Sequence, residues 1–370
     1  MMNINKEWRK TMKDYKKTLM YQEILETPDI LKTLKDENEE TLLKIKEEFQ
    51  KRHIQFILGA GRGTSANALN FFRYLIGVKM GIIMDIASPS ILTTYHADMN
   101  YGNTLVLAVS QSGEAKDAME IIKDARKKGA LTISVTNFQN SSLAEATQYH
   151  LFLNCKEEKA LEATKTFSAE LYLLSLLVYT LSDDNEAIDK LSLVSDYLTK
   201  YLDEMEKISD SLSQEMVKID DGFVLGRGLL LPIAEETRTK LSEAAYLRIQ
   251  SYSTAEFYHG PLALIDNGTF ILYLASKTGP KGSDDVYRFE EHQKNIEKYL
   301  SLNASLHVLT DDKRLKADNT TFYYIDLSIS EEYLIFIFTM IIQLSTVKTS
   351  IKKGLDVDSP RSLHKVTFTK

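Results

Sequence analysis

Three clusters in this chain have residue types and spacing suited to chemistry. The first is Ser110-Gln111-Ser112-Gly113-Glu114, set between an apolar run at 104–109 and an amphipathic stretch at 115–125. A strand that ends in hydroxyls and opens a helix offers an anion O–H donors, free N–H groups and a positive dipole end. The loop holds no Lys or Arg, so it would bind phosphate by hydrogen bonds; the bland alternative is a Ser/Gly turn capping a helix. The second is Lys240 and Glu243, three apart and so on one helix face, for which a solvated ion pair is the commonest fate. The third is His259, on a sharp His259-Gly260-Pro261 loop in apolar surroundings. Histidine suits a proton shuttle near neutral pH, a carboxylate can move a proton between C2 and C1, and a lysine can assist ring opening or hold a carbonyl carbon as an imine. Aldose–ketose chemistry on an aminosugar needs that set. His53, His96, His150, His292 and His307 have no comparable setting and read as structural or surface residues, and His364 is undecided.

The elements that must position these groups form an α/β pattern. Residues 1–50 are charged and helical in pattern, broken at Pro28. A short strand at 54–58 runs into Gly59-Ala60-Gly61-Arg62-Gly63-Thr64-Ser65 and a helix at 66–75. Strands at 81–86, 104–109, 131–135 and 149–153 follow, then an apolar helix at 167–181. Continuous apolar strands alternating with helices imply a parallel sheet covered on both faces, with ligands beyond the carboxyl ends of its strands. Thr64-Ser65 and Ser110–Ser112 both fall there. After a charged helical connector the theme returns at 223–228, with a long helix at 234–250 and strands at 270–275, 306–310 and 322–326. The second half thus repeats the order of elements of the first. The glycines after the first strand have the wrong spacing for a dinucleotide fingerprint.

Bulk properties narrow the class. A length of 370 residues suggests two domains, and 44% hydrophobic residues is globular composition. The net charge of −7 argues against a nucleic-acid binder. One cysteine, Cys155, excludes an internal disulfide and fits a reducing compartment. With no CxxC and no HExxH, no metal is expected. The N-terminus lacks the apolar core of a signal peptide. The longest apolar run, 333–344, is shorter than the roughly 20 residues of a membrane span and reads as a buried helix of a core or subunit interface. A cytoplasmic protein with no nucleic-acid or membrane partner is expected.

The residues also carry a resemblance. The segments Glu23-Ile24-x-Glu26-x-Pro28, Gly63-Thr64-Ser65, Val109-Ser110-Gln111-Ser112-Gly113-Glu114, Ala163-Thr164-Lys165-x-Phe167, Leu225-Gly226-Arg227-Gly228, His259-Gly260-Pro261-Leu262-Ala263-Leu264-Ile265-Asp266 and Asp356-Val357-Asp358-x-Pro360-Arg361-x-Leu363-x-Lys365 occur in this order. From about Met20 to Lys370 the chain resembles the isomerase half of glucosamine-6-phosphate synthase, built from two sugar isomerase (SIS) domains. The resemblance implies two similar doubly wound, flavodoxin-like three-layer α/β domains in tandem with a C-terminal tail over the active site. The implied parts are an N-terminal helical segment at 1–35, SIS domain 1 at 36–183, a helical connector at 184–220, SIS domain 2 at 221–350 and the tail at 351–370.

By the same resemblance Ser65, Ser110, Gln111 and Ser112 would bind the sugar phosphate; Thr64 and Thr164 are further candidates for substrate binding. Glu243 would be the C1/C2 base with Lys240 beside it, and His259 would open the ring of a neighbouring subunit's substrate in a homodimer with shared active sites. Lys365 would meet the open-chain carbonyl. The chain departs from the family in lacking a glutaminase nucleophile, so ammonia from glutamine is not expected. It also has Ala115 and Ala163 where hydroxyls are common, and Glu162 in place of a small residue. Glu162 reads either as an exposed loop glutamate or as a contact for a cationic amine. The resulting expectation is a cofactor-free aminosugar-phosphate deaminase/isomerase that gives a ketose 6-phosphate and ammonia. The alternative is a deglycase of fructosamine- or glucosamine-type amino-acid 6-phosphates; a sugar-phosphate sensor is the third reading.

Overall fold

The computed structural model describes residues 14–362 and Lys365. The first 13 residues of the expected N-terminal segment and His364 lie outside the described residues. Two compact units divide the chain. One comprises residues 26–158 and 163–196 with Lys365 of the tail; the other comprises 14–25, 159–162 and 197–362.

The first domain holds a five-stranded parallel sheet of order β2-β1-β3-β4-β5, formed by β1 (Phe56–Ala60), β2 (Ile83–Ile86), β3 (Thr104–Ser110), β4 (Leu131–Thr136) and β5 (Tyr149–Phe152). Every residue of β3 and β4 is buried, which is why both read as unbroken apolar runs rather than alternating ones. Helices α2 (Thr64–Met80), α4 (Lys116–Lys127) and α6 (Lys165–Leu181) cover the faces, with a short α3 (Ser90–Thr93) and α5 (Ser142–Ala146) between strands. Ile121, Ile122 and Ala125 of α4 pack on Val106 and Ala108 of β3. Long α1 (Leu19–Lys51) guards the β5 edge: Asn38 donates to the Phe152 carbonyl at 3.1 Å and accepts from its N–H at 2.8 Å.

Helices α7 (Asn185–Ser192), α8 (Val194–Lys200) and α9 (Leu202–Met216) lead to a second parallel sheet, β10-β9-β8-β6-β7. Its strands are β6 (Asp221–Gly226), β7 (Arg248–Ser253), β8 (Phe270–Ala275), β9 (Ser305–Thr310) and β10 (Thr320–Tyr324). Taken from the opposite edge, the order is that of the first sheet. Helices α10 (Leu231–Ala244), α11 (Thr254–Phe257), α12 (Asp285–Ser301) and α13 (Glu331–Lys352) complete this domain. Phe223, Phe257, Tyr273, Ile296 and Tyr299 form its aromatic-rich core. Among the described residues α13 is the one helix long and apolar enough to cross a membrane, and its apolar window is wholly buried. Its Lys348, 1% exposed, is held by Asp210 at 2.7 Å and by the Ser209 hydroxyl at 2.7 Å on α9.

Several sequence expectations are corrected. The helix α1 runs through Pro28 instead of breaking there. Proline removes one backbone hydrogen bond, but Met20, Ile24, Leu31 and Leu34 on either side are fully buried, and that packing keeps the helix whole. The expected limit at residue 35 therefore falls inside a helix. The helix at 66–75 extends over Thr64–Met80 and is closed by left-handed Gly81, so β2 starts at Ile83. The helix expected at 234–250 ends at Ala244. Tyr246 is left-handed (φ 54) and turns the chain into β7. β7 was missed because it is an edge strand, whose residues Arg248, Gln250 and Ser251 read as polar.

Candidate active site

In the first domain the polar residues gather where β1 and β3 end side by side. The pairing Ala60↔Ala108 sets the level, and the backbone approaches so closely that a Cβ on Gly61 would lie 3.0 Å from the Val109 carbonyl oxygen. Because α2 follows β1 and α4 follows β3, this is the topological switch point of the sheet, where open α/β sheets bind ligands. Thr64 and Ser65 open α2, and Ser110, Gln111 and Ser112 leave β3. The loop is internally braced. The Gly113 N–H donates to the Ser110 carbonyl and Oγ, each at 3.2 Å. The Glu114 N–H donates to Ser112 Oγ at 3.3 Å, and the Asn137 N–H to the Gln111 carbonyl at 3.1 Å. The Ser65 hydroxyl donates to buried Glu170 at 2.8 Å. Arg62, unassigned in the sequence, ties the two loops through Asp117 on α4, with Nε 2.9 Å from Oδ2.

A second knot in this domain forms around Glu158, whose side chain is fully buried. It accepts from the Thr164 N–H at 2.8 Å, the Thr166 hydroxyl at 2.7 Å and the Lys365 ammonium at 3.2 Å. The Thr164 hydroxyl donates to it at 3.3 Å. Lys165 reaches Glu26 at 2.7 Å. The tail lysine is thus docked on the Thr-Lys segment of its own domain, by a carboxylate that sequence reasoning did not single out.

The second domain holds Lys240, Glu243 and His259, the residues expected to move protons. On α10, Lys240 is 1% exposed and donates to Glu243 Oε2 at 2.8 Å, with Glu236 Oε1 at 3.6 Å. The solvated-pair reading of Lys240 is therefore overturned. Burial alone would push the ammonium down, but the charges of Glu236, Glu243 and Glu162 more than reverse this and hold it well above its usual value. Glu162 is 1% exposed, which overturns the exposed-loop reading. Its segment is anchored by Glu23, whose Oε2 accepts from the Ala160 N–H at 3.0 Å. Lys240 thus shares its surroundings with Glu236, Glu243 and Glu162. Of the three carboxylates Glu243 is the accessible one, with a third of its side chain exposed.

His259 sits on an exposed turn between α11 and a 3-10 turn at Pro261–Leu264, its N–H donating to the Glu256 carbonyl at 2.9 Å. Gly260, at φ 134, takes a backbone shape closed to side-chain-bearing residues. Beside this turn, Arg227, Thr254, Tyr258, Glu291 and Asn295 line a cleft of about 420 Å³.

At the switch point of the second sheet Leu229 and Leu230 follow β6 and Ser276 and Thr278 follow β8, and Glu331, 1% exposed, fills the crevice. Its carboxylate accepts from the Leu229 N–H at 3.2 Å, just after β6, and from the Ser276 hydroxyl, just after β8, and pairs with Arg288.

Parallel sheets with a polar crest at one switch point define a class of ligand-binding α/β domains. Residues 49–180 match the family model of the SIS domain. Among curated relatives, glutamine-fructose-6-phosphate aminotransferase (isomerizing) of Sulfurisphaera tokodaii is 27% identical over 94% of this chain and 56% of its own length. The Helicobacter pylori protein of that name is 31% identical over 71% of the chain and 44% of its own length. The chain thus spans about half the length of the curated relatives it matches. In fold it is similar to the C-terminal domain of glucosamine-fructose-6-phosphate aminotransferase from Francisella tularensis, with a TM-score of 0.78 and 24% identity over 93% of this chain and 98% of that one. It is likewise similar to glucosamine-6-phosphate deaminase from Thermotoga maritima, with a TM-score of 0.71 and 21% identity over 94% and 99% of the two chains.

Proposed function

We propose that this chain is an aminosugar-phosphate deaminase/isomerase acting on glucosamine-6-phosphate or a close relative. The observation that carries the reading is the buried Lys240 ammonium bonded to the one accessible carboxylate of its cluster, Glu243. A carboxylate oriented by a fixed cation and open on one side is what a C–H proton transfer requires. The hydroxyl loops of the first domain support a phosphate anchor, in which Ser110, Gln111, Ser112, Thr64 and Ser65 hold the substrate's ester.

In this reading His259 moves the proton that opens the sugar ring, and Lys365 meets the resulting C1 carbonyl. Glu243 takes the C2 proton as O1 gains one, leaving an enaminol, and then returns a proton to C1. C2 is now an imine; water adds there and ammonia leaves, giving the ketose 6-phosphate. The sum is one water consumed and one ammonia released, with no redox change. His259 stands exposed on its own chain, which favours a homodimer in which it serves the neighbouring copy.

The test is incubation of the protein with glucosamine-6-phosphate while ammonia and fructose-6-phosphate are followed together. Equal release of both is expected; no release from folded protein overturns the reading. One observation favours a second reading, a deglycase of sugar-amine 6-phosphates. Buried Glu162 joins Glu236 and Glu243 around one lysine, and that surplus of negative charge suits a substrate with a cationic amine. Fructoselysine-6-phosphate turnover with release of lysine would establish it.

A further inference from the structure

The residue before His259 is tied into the core of the second domain by an unbroken chain of hydrogen bonds. The Tyr258 hydroxyl donates to Asn295 Oδ1 at 2.8 Å. Asn295 Nδ2 lies 3.3 Å from the Tyr273 hydroxyl oxygen. The Tyr273 hydroxyl meets His292 Nδ1, and His292 Nε2 lies 3.2 Å from the Ser276 carbonyl. Asn295, Tyr273 and His292 are all buried.

One end fixes the direction of every proton in this chain. A carbonyl oxygen only accepts, so His292 carries its proton on Nε2 and its Nδ1 is an acceptor. The Tyr273 hydroxyl therefore donates to Nδ1, and its oxygen is left to accept from the Asn295 amide. That orients the amide with its oxygen outward, toward Tyr258. Burial keeps His292 neutral by pushing it down to about 4, so the order survives across the physiological range. The Tyr258 ring also lies tilted beside that of Tyr299, with centroids 6.5 Å apart. Tyr258 itself is 38% exposed, more than a residue kept for packing alone needs to be.

We propose that Tyr258 and Asn295 are positioning residues for His259: their hydrogen bond couples the exposed His259 turn to the rigid sheet beneath it. Beyond Gly260 the turn is tied to the core by Leu262 and Ile265. On the His259 side its local bonds are Tyr258 N–H to the Ala255 carbonyl at 3.2 Å and His259 N–H to the Glu256 carbonyl at 2.9 Å, with Ala263 N–H to the Gly260 carbonyl at 3.0 Å. The Tyr258 hydroxyl thus makes the side-chain hydrogen bond nearest His259. A proton-transfer group must be held closely in place, and small misplacements are costly in rate. The inference rests on the reading that His259 transfers a proton to the substrate.

The test compares wild type with Tyr258→Phe, Asn295→Ala, the double variant and His259→Ala. Two readouts are used: hydrogen exchange at the His259 and Ala263 amides, and kcat and KM on glucosamine-6-phosphate. Removing the hydroxyl is expected to speed exchange at both amides roughly tenfold and to lower kcat roughly tenfold, with KM within about twofold of wild type. The double variant should be no worse than the poorer single, because both remove one bond. Unchanged exchange in Tyr258→Phe overturns the proposal whether or not turnover is seen, and it stands alone if Asn295→Ala does not fold. If His259→Ala is inactive while Tyr258→Phe keeps full kcat, the positioning role fails and the function stands. If His259→Ala keeps full kcat, the assigned role of His259 fails instead.

Discussion

Glu243 and Asp311 show how differently two carboxylates of one domain are placed. Glu243 is held by a buried lysine and reaches the surface. Glu243→Gln keeps an oxygen for Lys240 but cannot take a proton. Its kcat on the substrate should fall about a thousandfold, with KM within about threefold, in steady-state assays; full turnover would remove Glu243 from the mechanism. Asp311, just after β9, accepts from the Lys277 N–H at 2.7 Å through Oδ1. Its other oxygen, Oδ2, is buried and unpaired. Desolvation, with Asp312 nearby, raises it to about 7, so the folded state binds a proton that the unfolded chain has lost above its usual 3.8. Stability tied to that proton is present at low pH and lost as pH rises toward 7 and beyond. Asp311→Asn removes the titration. In urea melts its advantage over wild type should be smallest below pH 4 and grow with pH to roughly 4 kcal/mol at pH 8. His292 and His307, both lowered to about 4 by burial, act with the opposite sign. The unfolded chain protonates them below 6.5 and the folded one does not, so stability falls as pH drops from 6.5 toward 4. Asp311→Asn should therefore also steepen that acid loss.

The elements explain what the sequence did and did not make legible. β3 and β4 were plain because both faces are covered and every position is apolar or small. β7 was hidden because an edge strand shows its polarity to solvent, and α1 because Pro28 is a local signal that distant burial outvotes. The site divided in the same way. Ser110, Ser112, Lys240, Glu243 and His259 stand out by type and spacing. Glu158, Glu170 and Glu236 do not, since their roles depend on partners that only folding supplies: a carboxylate six residues from Thr164, or 105 residues from Ser65, has no signature in the chain. Gly113 stands in the Ser/Gly loop of the sequence, and the structure gives the reason for a glycine there. At φ +68 an added Cβ would meet Ser141 Oγ at 2.2 Å. Gly113→Ala should cost at least about 1 kcal/mol by denaturation and weaken inorganic phosphate binding by calorimetry. Phosphate affinity equal to wild type would detach the β3 loop from the anchor.

At the scale of the whole molecule, two sheets share one strand order, yet their switch points differ in kind. The first is lined with hydroxyls. The second is occupied by Glu331, which receives the N–H after β6, the hydroxyl after β8 and the Arg288 guanidinium. Titration with inorganic phosphate should accordingly show one site per chain. Glu331→Ala should add a second, weaker one, and a variant that binds no more phosphate than wild type would show that the second switch point is no anion site at all. The arrangement has a consequence in terms of concentration. A carboxylate fixed to the fold competes for its own site as an intramolecular ligand, at an effective concentration that a dissolved metabolite does not readily match. However rich its surroundings in phosphate esters, the second sheet is closed to them by covalent attachment rather than by poor affinity, and the proposed phosphate anchor is left to the hydroxyl loops of the first sheet alone.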